Sequence, residues 1–240
     1  MRIGSDFDKI EWDIWGFNLL EPNAAIGDLI IFCFAFFLYL RIKDKSPFYV
    51  LWAKFYLFFG FSFLLGGFGH LFYNYSGLFG KSFSWLFGII ATFFVEQSML
   101  SLWIHPFQKN LLLSLSIFKA GLFILAEIML LYNLPSAQDA SIGLLIPTIN
   151  SVIGLGFALG YLGVYYEKQI HEGFRFFWIG SLILLPNVAI QGLKINIHPW
   201  LDRNDLSHVL LLSSILIYYR GLKKIEDHFT LELRPITSQL

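Results

Sequence analysis

The chain has 240 residues, of which 56% are hydrophobic, 19% aromatic and only 14% charged, with a formal net charge of zero and a mean hydropathy of +0.63. A soluble domain carries roughly 25% charged residues, so the composition excludes an ordinary soluble domain, and the absence of net positive charge excludes a nucleic-acid partner. The single cysteine, Cys33, excludes an intrachain disulfide and a metal site built from cysteines alone.

The first twenty residues hold Asp6, Asp8, Glu11 and Asp13 and no apolar core of a cleavable signal. The first membrane segment is therefore expected to act as the insertion signal. The stretch from Ile10 to Phe17 mixes Trp12, Trp15 and Phe17 with acids, and amphipathic aromatics favour the headgroup region. Residues 1–22 are expected to form an interfacial arm on the outer surface or over the end of the bundle.

Seven stretches then approach the roughly 20 apolar residues a spanning helix needs: 24–40, 50–73, 83–104, 111–132, 142–166, 174–193 and 205–219. Breakers separate them, namely the run from Lys43 to Pro47, Asn74 to Gly77, His105-Pro106, Asn133 to Pro135 and His198-Pro199. Because the connections are short, the expectation is one all-α membrane domain of seven transmembrane helices over residues 1–222, with a solvated tail at 223–240. Five Lys and Arg fall on the side of the N-terminal arm and eleven on the other. The positive-inside rule then puts the N-terminus outside and the C-terminus in the cytoplasm.

This alternation sets the depth of each ionisable residue, at about 1.5 Å per helical residue. Glu21 and Asp28 on the first helix, His70 on the second, Glu127 on the fourth, Asn150 on the fifth, Asn187 and Gln191 on the sixth, and Asn204, Asp205 and His208 on the seventh all fall in the outer half. Charged groups at the bilayer centre cost several kcal/mol, roughly 2.5–3.5 each on insertion scales, so such a layer marks a candidate site. In the inner half Glu96 and Lys119 lie at equal depth on neighbouring antiparallel helices. They are expected to form a structural salt bridge, since a lone buried charge is far more expensive than a pair.

Three readings of the outer layer stand open. In the first, His70, His208 and Asp205 hold a metal, with zinc the natural candidate because it takes imidazole and carboxylate ligands and lowers the pKa of its bound water to about 7. In the second, the same residues form a metal-free pocket, lined by Glu21, Asn150, Asn187, Gln191 and Asn204, for a lipid headgroup or small solute. In the third, the polar groups only satisfy one another. No lysine occurs between Arg203 and Arg220, which excludes a retinal Schiff base on the last helix, and no P-loop or dinucleotide fingerprint is present.

Glu21-Pro22 followed by Asp28, Gly66-Gly67-Phe68-Gly69-His70, and Asn204-Asp205-Leu206-Ser207-His208 with Tyr219-Arg220-Gly221 resemble an uncharacterised bacterial seven-transmembrane family, which implies the bacterial cytoplasmic membrane. More distantly, a helix-two and a helix-seven histidine resemble the CREST superfamily of alkaline ceramidases and progestin/adiponectin-receptor relatives. That resemblance implies zinc held by His70 and His208 and hydrolysis of a lipid amide or ester; in such a mechanism Asp205 is expected to complete the metal site and Asp28 or Glu127 to take the proton from a bound water. The chain departs from the superfamily at Asn204, where a histidine ligand is expected, at Gly66, where a serine is expected, and in having no aspartate on helix three. The alternative function is a receptor or transporter-like protein that binds a small or lipidic ligand without chemistry.

Overall fold

The computed structural model describes residues 1–43, 45–133 and 141–232. Two strands, β1 (Glu11–Ile14) and β2 (Phe17–Leu20), pair antiparallel as a hairpin. Seven helices follow: α1 (Pro22–Ile42), α2 (Pro47–Leu71), α3 (Tyr73–Ser101), α4 (Pro106–Asn133), α5, α6 (Arg175–Gly192) and α7 (Arg203–Glu232). The fifth, α5, runs as Ser141–Leu155, continues through a π-helical turn at Gly156–Tyr161, and finishes as Leu162–Gln169. The expected helical bundle is present among the described residues, and the hairpin is a short addition to it. Trp15 and Gly16, both at positive φ (52° and 81°), form the two-residue turn whose twist matches paired strands, and alternation in so short a segment gives little warning of it.

Six of the helices, α1 to α6, are long and apolar enough to cross a membrane, the mark of an integral membrane protein. The seventh does not reach that standard, because Arg203 and Asp205 stand at one end of its apolar stretch and Arg220, Lys223 and Lys224 at the other. The helix expected to end near Tyr219 runs on to Glu232. Leu222 and Ile225 are buried, and Glu226 binds Lys45 in the connection just before α2, so the helix continues into the segment expected to be a solvated tail. The expected break at Asn74 to Gly77 is helical in part, with a kink at Gly77 (φ 54°). The break at Asn133 to Pro135 falls mostly among residues 134–140, and the end of the tail among 233–240; both lie outside the described residues.

Neighbours in sequence are neighbours in space: α2 packs between α1 and α3, and α7 closes the bundle against α6 and α1. Helix α4 lies at the periphery against α3 and α5, burying only Ser116, Ala120 and Glu127. The aromatic core sits at the end away from the hairpin. There Trp52 stacks on Phe177 at 4.8 Å, and the hydroxyls of Tyr56 and Tyr49 donate to carbonyls of Ile215 and Leu222 on α7 (3.1 and 3.2 Å). Gly180 makes that approach possible, since a Cβ there would lie 2.4 Å from the Tyr218 ring.

Candidate functional site under the N-terminal arm

The arm folds over the other end of the bundle. The backbone of Arg2 pairs with that of Asn196 (2.7 and 2.9 Å) in the loop between α6 and α7, and Arg203 binds Asp6 at 3.1 Å. The hairpin rests on the start of α3, where Asn18 donates its backbone N–H to the Tyr75 hydroxyl at 2.9 Å. Beneath the arm lies a small cavity of about 20 Å³, bordered by Lys9, Glu21, Asn23, Asp202 and Arg203, room for about one water.

Glu21 is the hub of this end. It caps α1 in the left-handed conformation (φ 51°) with Pro22 following, a backbone state that L-residues adopt only where surrounding structure holds them. What holds it is visible: its carboxylate binds Lys9 of the arm, accepts from His70 Nδ1 at 2.6 Å and lies 3.8 Å from Lys81 Nζ. Burial alone pushes the carboxyl upward, but the bond and charge of His70 and the charges of Lys81 and Lys9 outweigh it and hold Glu21 well below the usual carboxylate range. Lys81 also stands 3.3 Å from His70 Nδ1. It gets there because Gly69 and Gly80 let α2 and α3 close in; a Cβ on Gly69 would meet the Gly80 carbonyl at 2.9 Å.

Two turns deeper on α1, Asp28 is 3% exposed and bonds His208 Nε2 through Oδ1 at 2.9 Å. Its Oδ2 and His208 Nδ1 are buried and have no hydrogen-bond partner among the described residues. Glycines surround the pair. A Cβ on Gly27 would lie 2.3 Å from His208 Nδ1, and one on Gly66 would lie 3.4 Å from Asp28 Oδ2 and 3.2 Å from Ser84 Oγ. Ser62 donates to the Ser84 carbonyl beside this level at 2.8 Å.

Asp205 serves the helix terminus. It accepts from Asn23 Nδ2 at 2.9 Å and from the backbone of Asp202 at 3.0 Å, while Asp202 Oδ1 caps α7 by accepting the backbone N–H groups of Asn204 (2.7 Å) and Asp205 (3.1 Å). Burial raises the Asp202 carboxyl above its ordinary value against those two bonds. Gln191 ties α6 to the same turn through Ser207 Oγ at 2.8 Å and the Arg203 carbonyl at 3.1 Å, with Asn204 Oδ1 at 3.5 Å. Asn187 is half-buried, and its Oδ1 has no partner among the described residues.

The expected single layer is therefore several groups at different levels. Asn150 is not in the outer pocket: its Oδ1 accepts from Lys119 Nζ at 2.8 Å, placing it with the inner pair. Lys119 and Glu96 form an ion pair, and Ser116 donates to the second oxygen of Glu96. Glu127 is fully buried on α4, and neither carboxylate oxygen has a partner among the described residues.

The donor set does not fit a shared metal. Among the described residues no group of three or more His, Cys, Asp and Glu is placed to hold one. His70 and His208 are engaged by different carboxylates, Asp205 by a helix terminus, and the ammonium groups of Lys9 and Lys81 at Glu21 would repel a dication. Lys9, Lys81, Asn23 and Asp202 are the site residues that reading the sequence missed. Lys81 had a signal: it lies eleven residues beyond His70 across a tight reversal, which returns it to the same depth.

Residues 24–227 match the model of the Family of unknown function (DUF6962), and the chain belongs to that family. No curated protein and no solved structure matches it.

Proposed function

We propose that the protein is a seven-span bundle of the bacterial cytoplasmic membrane, N-terminus outside and C-terminus inside. In this reading it is non-enzymatic and binds a small polar solute or lipid headgroup at the Asp28–His208 level, with the N-terminal arm as its cover. The observation that carries the reading is the buried Asp28 carboxylate with one oxygen on His208 and the other unpartnered. An unmet buried acceptor costs about 1–3 kcal/mol, more when charged, and a ligand N–H or O–H relieves that cost. Gly27 and Gly66 keep side chains away from the two open atoms. The lysine bias supports the orientation, and an apolar stretch of α7 between its charged ends supports the seventh span.

The test is thermal unfolding of the detergent-purified protein against ethanolamine, whose ammonium and hydroxyl offer N–H and O–H donors, and tetramethylammonium, which offers neither. Ethanolamine is expected to raise Tm in the wild type and not in Asp28→Asn, with tetramethylammonium inert. Equal responses to both cations, or an unchanged response in Asp28→Asn, would sink the reading. Metal analysis of the same protein tests the CREST-like lipid hydrolase: near-stoichiometric zinc, lost in His208→Ala, would replace the binding reading with that one.

A further inference from the structure

A groove of about 590 Å³ opens on the flank of the bundle between α5 and α6, remote in sequence from the polar groups under the arm. Its bed is the π-helical turn. Gly156 and Gly160 present bare backbone there, and a Cβ on Gly156 would meet nothing within 4 Å. Trp178 and Leu182 of α6 form the facing wall. A π-turn widens the helix by one residue and interrupts its regular side-chain rows; here it coincides with two glycines, so the flank is recessed where an ordinary helix would present a ridge. The recess is apolar along its length except at one end, where Lys168 lies in the last turn of α5.

Lys168 is exposed and makes no ion pair with any described residue. The nearby acid is already used: Glu167 binds Arg175 at 3.2 Å and accepts from Trp178 Nε1 at 2.7 Å. An apolar channel ending in a free ammonium and an indole at a helix end is complementary to one kind of occupant. We infer that this groove is a binding site for an anionic phospholipid of the surrounding membrane, with an acyl chain along Gly156 and Gly160 and the phosphate at Lys168. Hydrocarbon fills the channel from any lipid, because lipid tails are as apolar as the groove walls. Selectivity therefore rests on the headgroup, and a basic residue near the surface favours an anionic one. The inference is independent of the ligand proposed at Asp28.

The experiment is native mass spectrometry of the detergent-purified full chain titrated with phosphatidylglycerol or phosphatidylcholine. The wild type is expected to show one saturable site that prefers phosphatidylglycerol about fivefold. Lys168→Gln, an exposed change, should make the two lipids equal. Gly156→Leu fills the groove where space is open, and should weaken both lipids while leaving Tm in lipid-free detergent unchanged. Equal affinity in the wild type, a preference that survives Lys168→Gln, or full binding in Gly156→Leu overturns the assignment.

Discussion

Glu96 and Lys119 face each other across α3 and α4, and Asn150 and Ser116 take up their remaining valences. Removing one member of such a pair leaves an unpaired buried charge, a loss of about 3–5 kcal/mol. Lys119→Met should therefore destabilise the protein by that amount in denaturant unfolding in detergent. The double variant Glu96→Leu with Lys119→Met should recover most of it, because matched apolar groups need no partner. Glu21 makes a different claim, about pH. Its folded carboxyl is held below its ordinary value of 4.5, so its contribution is fully present above pH 4.5 and is lost as pH falls below that toward the folded value. Amide exchange in the arm, corrected for its intrinsic pH dependence, should accelerate below pH 4.5 in the wild type. In Glu21→Gln it should be fast already at neutral pH and show no such step.

Among the elements, α5 is the one whose glycines decide its packing. A Cβ on Gly154 would lie 2.2 Å from Glu96 Oε1, 2.4 Å from Thr92 Cγ2 and 3.0 Å from Lys119 Nζ. The pair can form only because α5 has no side chain at that point. Gly154→Ala should cost about 1–3 kcal/mol through overpacking; unchanged stability in thermal unfolding would show that the pair has room the geometry denies. The hairpin is the other element with consequences. It is a two-stranded unit, marginal on its own; Tyr75 holds it, while Lys9 with Glu21 and Arg2 with Asn196 hold the arm that leads into it. This is why the Glu21 prediction is read in the arm rather than in the helices.

For the whole molecule the question is how many times the chain crosses the membrane. Six helices qualify by length and apolarity, and α7 packs against α1 and α6 with charges at both ends. If α7 spans, reporters fused at the two termini fall on opposite sides, with the C-terminal one cytoplasmic. Reporters on the same side would mean six spans, and would turn the proposed orientation of the arm into an open competition between the two faces. The aromatic end and the polar end of the bundle would then still differ, because that asymmetry belongs to the packing and not to the lipid.

The sequence by itself determined the helical membrane architecture, since runs of apolar residues between Pro and Gly breakers have few other solutions where backbone groups must bond internally. It also brought Glu96 and Lys119 to one depth, because antiparallel neighbours of known length return the chain to the same level. Only the tertiary structure decided which carboxylate each histidine meets. Helix rotation about its own axis separates Glu21–His70 from Asp28–His208, and that rotation is fixed by glycine contacts such as Gly27 against His208 and Gly69 against Gly80. The hairpin was hidden for a related reason: its strands are four residues each, too short for alternation to show, and they are ordered by contacts with residues more than fifty positions away.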